Sequence, residues 1–451
     1  MIIERVKSNG RRESGSVLVI VLWITFGIVS LALYFGHSAS LELRAADNRA
    51  SSLAAQLAID GTARYVGYLL SNLEEPGKLP LRETYSQEEI QIGEARTWLI
   101  GRDIKDQTSS QPYFGLIDEA SKLNLNTATV EMLEALPGMT AGLAAAIVDW
   151  RDGDSDVSES GAEDETYLRL SPAYHCKNAK FESLGELRLV AGADLNLLFG
   201  EDSNMNGVLD KNEDDGDKSL PLDNRDGRLD VGLMDFLTVY SREANTNAAG
   251  TARVVVSGPG FAQRVAPLLQ TTFGPERANQ ILARMGPPNA TFTSVLDFFM
   301  RSGMTENDFT NIQQSLTLTN GAYVEGLVNV CTAPEEVLAC IPGIGTDKAA
   351  EIVAYRLANP DKMNSVAWVA SVLDRSQAVR AGVYLTAHSY QFTADIAAVG
   401  HFGRGFRRQR FIFDTTGKTA RIMQQEDLTQ LGWALGRQTW QDRRQFSGIT
   451  R

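Results

Sequence analysis

The stretch Val17–Phe35, VLVIVLWITFGIVSLALYF, is apolar almost without interruption. No charged residue occurs from Ser14 to Leu41, and roughly 20 apolar residues in a helix suffice to cross the hydrocarbon core of a membrane. Basic residues precede this stretch: Arg5, Lys7, Arg11 and Arg12. By the positive-inside rule they keep the N-terminus cytoplasmic. We therefore expect one membrane span, with the rest of the chain outside the cytoplasm.

A cleaved secretory signal is the alternative interpretation, and Ser38–Ser40 imitates its small-residue cleavage site. The sequence after the apolar stretch favours its retention. Residues 38–72 contain no Pro and carry apolar residues at helical spacing, so the helix is expected to continue out of the membrane. A helix from Ser16 to Leu73 would be about 87 Å long, given the rise of 1.5 Å per residue.

A basic leader that ends in Gly15, followed by an apolar helix that runs into an amphipathic one, resembles the signal of type IV pilins and pseudopilins. The resemblance implies that a prepilin peptidase cuts between Gly15 and Ser16 and leaves the helix on the mature protein. Ser16 stands where the family usually has Phe, and Ile20 where most pilins have Glu. A carboxylate there is costly in lipid unless it neutralises a neighbouring subunit's ammonium group. Its absence suits a subunit at the end of a filament.

The charge of the chain is concentrated in one segment. The 451 residues include 43 Lys plus Arg and 56 Asp plus Glu, which gives a net charge of −13. Residues 149–235 hold 22 acidic and 9 basic residues, so this segment carries the whole imbalance. The length predicts two or more structural units. The acidity argues against a general nucleic-acid surface, and three Cys exclude a disulfide-built scaffold.

An internal repeat relates two segments at an offset of 205 residues. Asn124–Arg151 reads NLNTATVEMLEALPGMTAGLAAAIVDWR, and Asn329–Arg356 reads NVCTAPEEVLACIPGIGTDKAAEIVAYR. In both, a Thr (Thr127 or Thr332) is expected to cap a first helix, a Pro-Gly pair to end it, and a second helix to follow. The pattern is that of a helix-hairpin-helix unit.

Such hairpins bind DNA in some proteins and only pack in others. Phosphate binding needs nearby cations, yet acidic residues follow the first hairpin. The second hairpin offers only Lys348, Arg356 and Lys362. A packing role is therefore favoured for both. A Ser-capped short helix is expected to close each of three modules, at Phe181–Leu187, Phe292–Phe298 and Met363–Val369.

The segment Asp202–Glu213 has the ligand spacing of a twelve-residue calcium loop. Oxygen-bearing side chains occupy positions 1, 3, 5, 9 and 12, and Gly207 occupies position 6, where the loop turns sharply. A solvated acidic turn is the alternative. The predicted Ca²⁺ ligands are Asp202, Asn204, Asn206, the Val208 carbonyl, Asp210 and Glu213.

A second, irregular calcium site is expected close by. Its predicted ligands are Asp223, Asn224, Asp226 and Asp230. Leu222 and Leu233 occupy the first and twelfth ligand positions, so acidic residues from 214–217 are candidates to complete it. The predicted role of calcium is structural. No nucleophile elbow, phosphate loop or His/Cys metal spacing occurs, so no enzymatic activity is expected.

Strands are expected on both sides of the helical part. Alternating apolar residues predict them at 94–105, 113–118, 390–399, 408–413 and 420–424. The expected fold class is α+β, a pilin-like long N-terminal helix with a small antiparallel sheet and a large inserted helical domain. The expected units are a leader at 1–15, the helix at 16–75, first strands at 76–122, the insert at 123–385, later strands at 386–430 and a tail at 431–451. Within the insert, modules are expected near 123–200, 255–320 and 328–380, with the acidic loop at 200–235.

In combination, these features resemble one family, the K subunit of type II secretion, a minor pseudopilin. Beside the leader with Ile20, the matching segments are Lys122–Ala128, Asp149–Asp154, Gly161–Asp164, Ser183–Val190 and Asn329–Leu338. The resemblance implies a pilin-like fold whose inserted modules are sterile-alpha-motif-like, and calcium binding by the loop at 202–213.

The resemblance also implies a function and partners. Family members cap the tip of the pseudopilus with two other minor pseudopilins, of the I and J type. Further implied partners are the major pseudopilin, the prepilin peptidase and the inner-membrane assembly platform. The implied location is the inner membrane, with the bulk periplasmic. Two alternatives stay open: a membrane-anchored DNA receptor of the competence type, and a tip minor pilin of a type IV pilus.

Overall fold

The computed structural model describes residues 14–85, 89–104, 106–109, 111–287 and 290–436. Most of the predicted leader and most of the predicted tail lie outside these residues. The predicted cleavage junction, Gly15–Ser16, falls in the first turn of the N-terminal helix.

The α-helices of the described residues comprise one very long helix and many short ones. They are α1 (Ser14–Ser71), α2 (Arg82–Tyr85), α3 (Val130–Glu134), α4 (Ala141–Arg151), α5 (Asp164–Tyr167), α6 (Leu195–Phe199), α7 (Phe261–Phe273), α8 (Pro275–Arg284), α9 (Val295–Ser302), α10 (Glu306–Thr310), α11 (Glu335–Ala339), α12 (Gly345–Ala358) and α13 (Arg375–Ala381). Short 3₁₀ turns link several of them.

The strands fall into one main sheet and four small pairs. They are β1 (Ile90–Ile92), β2 (Ala95–Ile100), β3 (Ile117–Asp118), β4 (Leu123–Asn124), β5 (Leu237–Thr238), β6 (Arg242–Ala244), β7 (Val254–Val255), β8 (Leu316–Thr317), β9 (Tyr323–Glu325), β10 (Val328–Asn329), β11 (Leu385–Thr386), β12 (Gln391–Val399), β13 (Arg407–Asp414) and β14 (Arg421–Asp427). A strand occurs at each predicted place, although the one expected over 94–105 ends at Ile100 and the one expected over 113–118 is only Ile117–Asp118.

The helix α1 has two parts with opposite surroundings. Its large apolar side chains from Val17 to Phe35 are 51–73% exposed. Val17–Ser71 is the one helix of the described residues that is long and apolar enough to cross a membrane, a test that a signal sequence also meets. Further along, Ala55, Ile59 and Val66 are fully buried at helical spacing. The same continuous helix is therefore exposed in its N-terminal part and belongs to a protein core in its C-terminal part.

The second half of α1 packs on the main antiparallel sheet, whose order is β1-β2-β12-β13-β14, with β3 also paired to β12. The Oγ1 atoms of Thr62 and Thr97 lie 2.8 Å apart across this interface. At Gly405 the backbone approaches α1 so closely that a Cβ would lie 2.3 Å from the Ser52 nitrogen. Glycine is required there because any side chain would push the β12–β13 hairpin off the helix.

The insert lies between two strands that pair with each other. β3 ends at Asp118 and β12 begins at Gln391, yet Thr393 is opposite Ile117 in the sheet. The large apolar cluster of the insert runs from Leu123 to Ala387 and is separate from the cluster under α1. The predicted interruption of the sheet by a large helical region is therefore confirmed, whereas the detailed module boundaries stay predictions.

Two expected helix caps are wrong by two residues. Thr129 caps α3, and its hydroxyl accepts a hydrogen bond from the Met132 N–H. Pro334 precedes α11 without a side-chain cap. Thr127 and Thr332, predicted as caps, lie in the turns before these helices, and Thr332 instead donates to a carboxylate of the sheet, Asp118. The Ser caps predicted at 183, 294 and 365 are confirmed.

The cysteines are free thiols. Cys176 and Cys340 are buried and Cys331 is partly buried.

Candidate metal centre

The first predicted calcium loop closes around Asp202, whose side chain is buried. Its Oδ1 accepts the Asn206 N–H at 2.8 Å and its Oδ2 accepts the Gly207 N–H at 2.8 Å. Gly207 has a φ of +68°, a left-handed conformation that glycine adopts at little cost. The loop thus turns sharply at the position where calcium loops carry glycine.

Glu213 closes the other end of the loop. Its Oε1 accepts the Ser203 N–H at 3.3 Å, and its Oε2 accepts the Asp210 N–H at 3.0 Å. Burial, with the nearby Asp202 carboxylate as a second cause, raises the pKa of Glu213 to about 8. A cation beside it would favour the ionised carboxylate and so lower that pKa.

The remaining side chains of the loop converge on Asp210. The Nδ2 atoms of Asn204 and Asn206 donate to its Oδ2 at 2.9 and 3.1 Å. The Oδ1 atom of Asn204 is buried and has no hydrogen-bond partner. Rotation of this amide would turn its oxygen towards an ion, and calcium takes 6–8 oxygen ligands. The residues present therefore fit calcium.

Two arginines hold this loop against the main sheet. Arg408 of β13 is fully buried and makes a paired contact with Asp395, at 2.8 Å for both oxygens. Its Nη1 donates to the Asn204 carbonyl at 2.6 Å, and its Nη2 donates to the Met205 carbonyl at 2.5 Å. Arg102 also donates to the Met205 carbonyl. Burial would raise the pKa of Asp395, but the combined attraction of Arg408, Arg410 and Arg102 outweighs it, so this pKa is lowered.

The second predicted loop is built from more distant residues than the sequence suggested. Glu201 accepts the Asn224 N–H at 3.2 Å and the Asp230 N–H at 3.0 Å, which is the role that Glu213 has in the first loop. Asp214 accepts the Gly227 N–H at 3.2 Å, as Asp202 accepts that of Gly207. Leu222 and Leu233 occupy the first and twelfth ligand positions, and Asp214 and Glu201 provide carboxylates there instead. In the sequence, the lack of an oxygen ligand at these two positions was the signal that residues from other segments contribute.

The four residues predicted for the second site have different surroundings. Asn224 donates to Asp230 at 2.9 Å, as the asparagines of the first loop do to Asp210. Asp226 accepts the Arg228 N–H at 2.8 Å. The Asp223 carboxylate faces the backbone N–H groups of Asp215 and Gly216 instead, both at 2.9 Å or less. The sequence prediction missed Glu201.

The carboxylates of both loops are held apart. Within the described residues, no three Asp, Glu, His or Cys side chains converge closely enough to grip an ion without moving. Backbone N–H groups and Asn amides stand between the carboxylates and donate to them. Both sites therefore stay predictions that rest on the donor set.

The two repeated hairpins are held by the same contacts. Arg151, at the end of α4, donates to the carbonyls of Leu125 and Ala128. Arg356, 205 residues later, donates to the carbonyls of Val330 and Ala333 at 3.1 and 2.6 Å. The arginine of each repeat thus binds its own first turn.

The cations that a DNA-binding hairpin would need are engaged within the chain. Lys348 pairs with Glu351 at 2.5 Å, and Lys362 donates to the Tyr355 hydroxyl at 3.2 Å. Arg356 is occupied by the carbonyls of its own repeat. Phosphate binding depends on cations that face outward, so these hairpins favour packing.

Comparison with known proteins identifies the part of the chain that holds the first hairpin. Residues 118–198 match the family model described as type II secretion system, protein K. The family resemblance predicted from the sequence is confirmed.

Three similar proteins carry the name type II secretion system protein K. Type II secretion system protein K of Klebsiella pneumoniae is 28% identical over 196 residues, which are 41% of this chain and 59% of the relative. That of Pectobacterium carotovorum subsp. carotovorum is 24% identical over 205 residues, 41% of this chain and 60% of the relative. That of Pseudomonas aeruginosa is 36% identical over 74 residues, which are 16% of this chain and 21% of the relative. The alignments with the first two thus span about three fifths of those protein K chains.

One solved structure with a similar arrangement is the GspK-GspI-GspJ complex from the type 2 secretion system of enterotoxigenic Escherichia coli. The match covers 93% of this chain and 99% of that chain, with 12% identity and a TM-score of 0.38. At that score the structural match supports no further statement about this chain, and the resemblance rests on the sequence matches to protein K.

Proposed function

We propose that this chain is a minor pseudopilin of a type II secretion system and that it caps the tip of the pseudopilus. The observation that carries the proposal is the protein K match, which lies on the insert of a chain that begins with a long helix. The exposed apolar side chains of Val17–Phe35 suit a helix that first anchors in the inner membrane and then packs in a filament. The bulk of the chain would be periplasmic.

The position of the insert explains why such a subunit would end a filament. It lies between β3 and β12, so residues 119–390 are all added at the side of a small helix-and-sheet unit. A subunit stacked further out would have to accommodate this added volume. The size of the insert would therefore make this chain the last subunit of the filament. That position would also suit a chain that has Ile20 in place of the glutamate of most pilins.

We also propose that calcium stabilises the contact between the insert and the sheet. Asp202, Asn204, Asn206, Asp210, Glu213 and the Val208 carbonyl would hold the ion in the first loop. Arg408 already fixes two carbonyls of that loop to β13. When bound, the ion would supply the positive charge that lets the buried carboxylates stay ionised together.

The proposed partners are the I- and J-type minor pseudopilins, the major pseudopilin, the prepilin peptidase and the inner-membrane assembly platform. The solved Escherichia coli complex contains GspK, GspI and GspJ, and the same set is proposed here for this chain by analogy. The three would form the tip before the major pseudopilin is added.

Deletion of the gene in its own host tests the function. We expect pseudopilus initiation and export of type II substrates to fall sharply and to return with the intact gene. Normal secretion in the deletion strain would contradict the proposal. A defect in pilus-dependent motility with normal secretion would instead assign the chain to a type IV pilus.

Co-purification tests the partners and the role of calcium. The full chain in detergent should retain I- and J-type minor pseudopilins in calcium and retain less of them in chelator. The variant Glu213→Gln should behave in calcium as the native chain does in chelator. Asp106→Asn, at an exposed acidic residue outside both loops, is the matched control. Equal recovery under all conditions would contradict a role for calcium in the assembly.

A further inference from the structure

The turn between β12 and β13, residues 400–405, forms the end of the main sheet that lies nearest to the predicted membrane span. A Cβ on Gly400 would lie 2.0 Å from the Ser51 carbonyl oxygen, and Ser51 is buried whereas residues 17–50 of α1 are exposed or partly exposed. The β13–β14 turn lies at the other end, where the Ala420 N–H donates to the Ser71 hydroxyl at 2.9 Å. Ser51 and Ser71 are about 30 Å apart along the helix, at a rise of 1.5 Å per residue.

The β12–β13 turn is held in place by two charged contacts. Arg404 forms an ion pair with Asp47 of α1. The Nδ1 atom of His401 lies 3.1 Å from a carboxylate oxygen of Glu94, which belongs to the turn between β1 and β2. Two turns of the sheet and the helix therefore meet at this end.

Phe402 is the residue of this turn that its folding does not explain. Its side chain is 58% exposed, and its φ is +53°, a conformation that is unfavourable for an aromatic residue. Gly403 beside it has a φ of +70°, which glycine adopts at little cost. Backbone strain of this kind occurs mainly at functional sites, because the fold alone does not require it. The turn thus presents an exposed aromatic ring at a cost to its backbone.

The membrane is within reach of this ring if α1 is anchored as proposed. No charged residue occurs between Glu13 and Glu42, so a span of about 20 residues can end at Leu41. Asp47 then lies about 9 Å beyond the hydrocarbon core, at 1.5 Å per residue. The headgroup layer occupies about 5–7 Å of that distance, and the usual helix tilt of about 20° shortens the rest.

The surroundings of the turn have the composition of a membrane-interface surface. The ring of Phe406, next to the turn, packs on Trp433 with centroids 5.3 Å apart. Arg44 and Arg49 of α1 are exposed on the side of the turn that leads to the span. Residues 437–451, which follow Trp433 closely in the sequence, include four Arg, one Asp, one Trp and one Phe. Aromatic residues and Arg are the side chains that favour the headgroup layer of an anionic membrane.

We propose that this end of the helix-and-sheet unit docks on the anionic lipid headgroups from which α1 emerges, with the Phe402 ring in the headgroup layer. The proposal rests on the proposed membrane anchor and is independent of tip capping and of calcium. Docking would fix the orientation of the sheet and the insert above the membrane before the helix enters a filament. Because one aromatic side chain contributes little binding energy, the contact would release readily at that step.

Quenching by nitroxide lipids tests the contact in the full chain, reconstituted alone in vesicles of phosphatidylethanolamine and phosphatidylglycerol. A fluorophore on Glu94→Cys reports the turn end, and one on Thr419→Cys, at an exposed residue of the β13–β14 turn, is the matched control. The parent chain, labelled in the same way, corrects for its partly buried Cys331. A nitroxide at the lipid headgroup should quench the fluorophore at position 94 and leave the one at 419 unchanged.

Phe402→Gly is the decisive variant. It should reduce the quenching at position 94 by at least about half, since the aromatic contact with the headgroups is lost. Its urea unfolding midpoint should equal or exceed that of the parent, because glycine accepts the φ of +53° without strain. Phe402→Trp should restore the quenching. Vesicles of phosphatidylcholine alone should show less quenching at position 94, because the arginines of this end then face no net lipid charge.

A third fluorophore, on Leu22→Cys within the predicted span, separates the docking from the anchor. Quenching at Leu22 by a nitroxide in the acyl chain, together with equal emission at positions 94 and 419, would overturn the docking and leave the proposed function intact. Quenching at position 94 that is unchanged by Phe402→Gly would also overturn it. No quenching at Leu22 would overturn the membrane anchor and the docking together.

Discussion

The two repeated hairpins share one frame, which is the contact between a terminal arginine and two carbonyls, and they differ in the segments that follow it. In each, a terminal arginine donates to two carbonyls at the start of the unit. In the first repeat, the residue two positions before that arginine is Asp149, which is completely buried. In the second repeat the matching residue is Ala354, which is exposed.

The difference shows that the buried Asp149 is an addition to a packing unit. The segment after Arg151 folds back over the helix, so that Asp149 is covered and accepts the N–H groups of Ser158 and Ala162. The matching segment after Arg356 runs into a 3₁₀ turn at Pro360–Lys362, and the residue that matches Asp152 is Leu357, which is 68% exposed. Both repeats have the frame. The first repeat has in addition the Asp149 carboxylate and the segment that covers it.

The largest expected effect is the loss of the shared frame. We expect Arg151→Ala and Arg356→Ala to lower the free energy of unfolding by about 3 kcal/mol each, because each variant leaves two carbonyls without their charged donor. Urea unfolding of the full chain in detergent measures both values. Similar losses would confirm that the repeats are held in the same way.

Arg169→Ala is the control for these variants, because Arg169 pairs with Glu165 on the surface, where both side chains are about three quarters exposed. Such a pair contributes about 0–1 kcal/mol. If Arg151→Ala cost no more than Arg169→Ala while Arg356→Ala cost about 3 kcal/mol, the two repeats would not share one frame.

Local patterns in the sequence account for most of the frame and for the first calcium loop. The apolar run at 17–35 predicts the long helix, and the offset of 205 residues predicts the paired hairpins. Oxygen ligands at calcium spacing predict the loop at 202–213. The apolar run, each copy of the repeat and the calcium spacing all lie within about 30 consecutive residues, where periodicity and spacing can be read directly.

Contacts over long sequence separations account for the features that the sequence could not predict. Arg408 reaches the carbonyl of Asn204 across 204 positions, and Glu201 reaches Asn224 across 23. No spacing rule links such residues. The oxygens of Glu163 are buried and unpaired, and this burial is likewise a property of the folded chain. In the sequence, Gly161 and Glu163 are visible only as part of a segment that the family resemblance includes.

A smaller effect is expected from acid on the second repeat. His388 follows β11, which pairs with the strand that opens the second repeat. Burial lowers its pKa below the usual 6.5, an effect that Glu243 partly opposes. The unfolded chain therefore takes up a proton below pH 6.5 that the folded chain refuses. The stability contributed by the neutral imidazole is complete above pH 6.5 and is lost as the pH falls below it.

His388→Gln isolates this contribution, because glutamine can still face Gln314, whose Nε2 lies 3.0 Å from the imidazole Nε2. Urea unfolding at pH 5, 6 and 7 should show a steeper loss on acidification in the native chain than in the variant. His401→Gln, at a histidine on the surface of the β12–β13 hairpin, is the matched control. Parallel curves for the native chain and His388→Gln would show that this imidazole does not govern the acid response.

The smallest expected effect comes from placing the acid alone in the second repeat. Ala354→Asp adds a carboxylate at the position that matches Asp149, but the site is exposed and no segment folds back over it. We expect a change in stability of about 0.5 kcal/mol, typical of a surface substitution. Asp149→Ala, the reverse change, should cost more because the N–H groups of Ser158 and Ala162 lose their acceptor. Urea unfolding of the full chain in detergent measures both values, and equal losses would mean that the segment that covers Asp149 has another role.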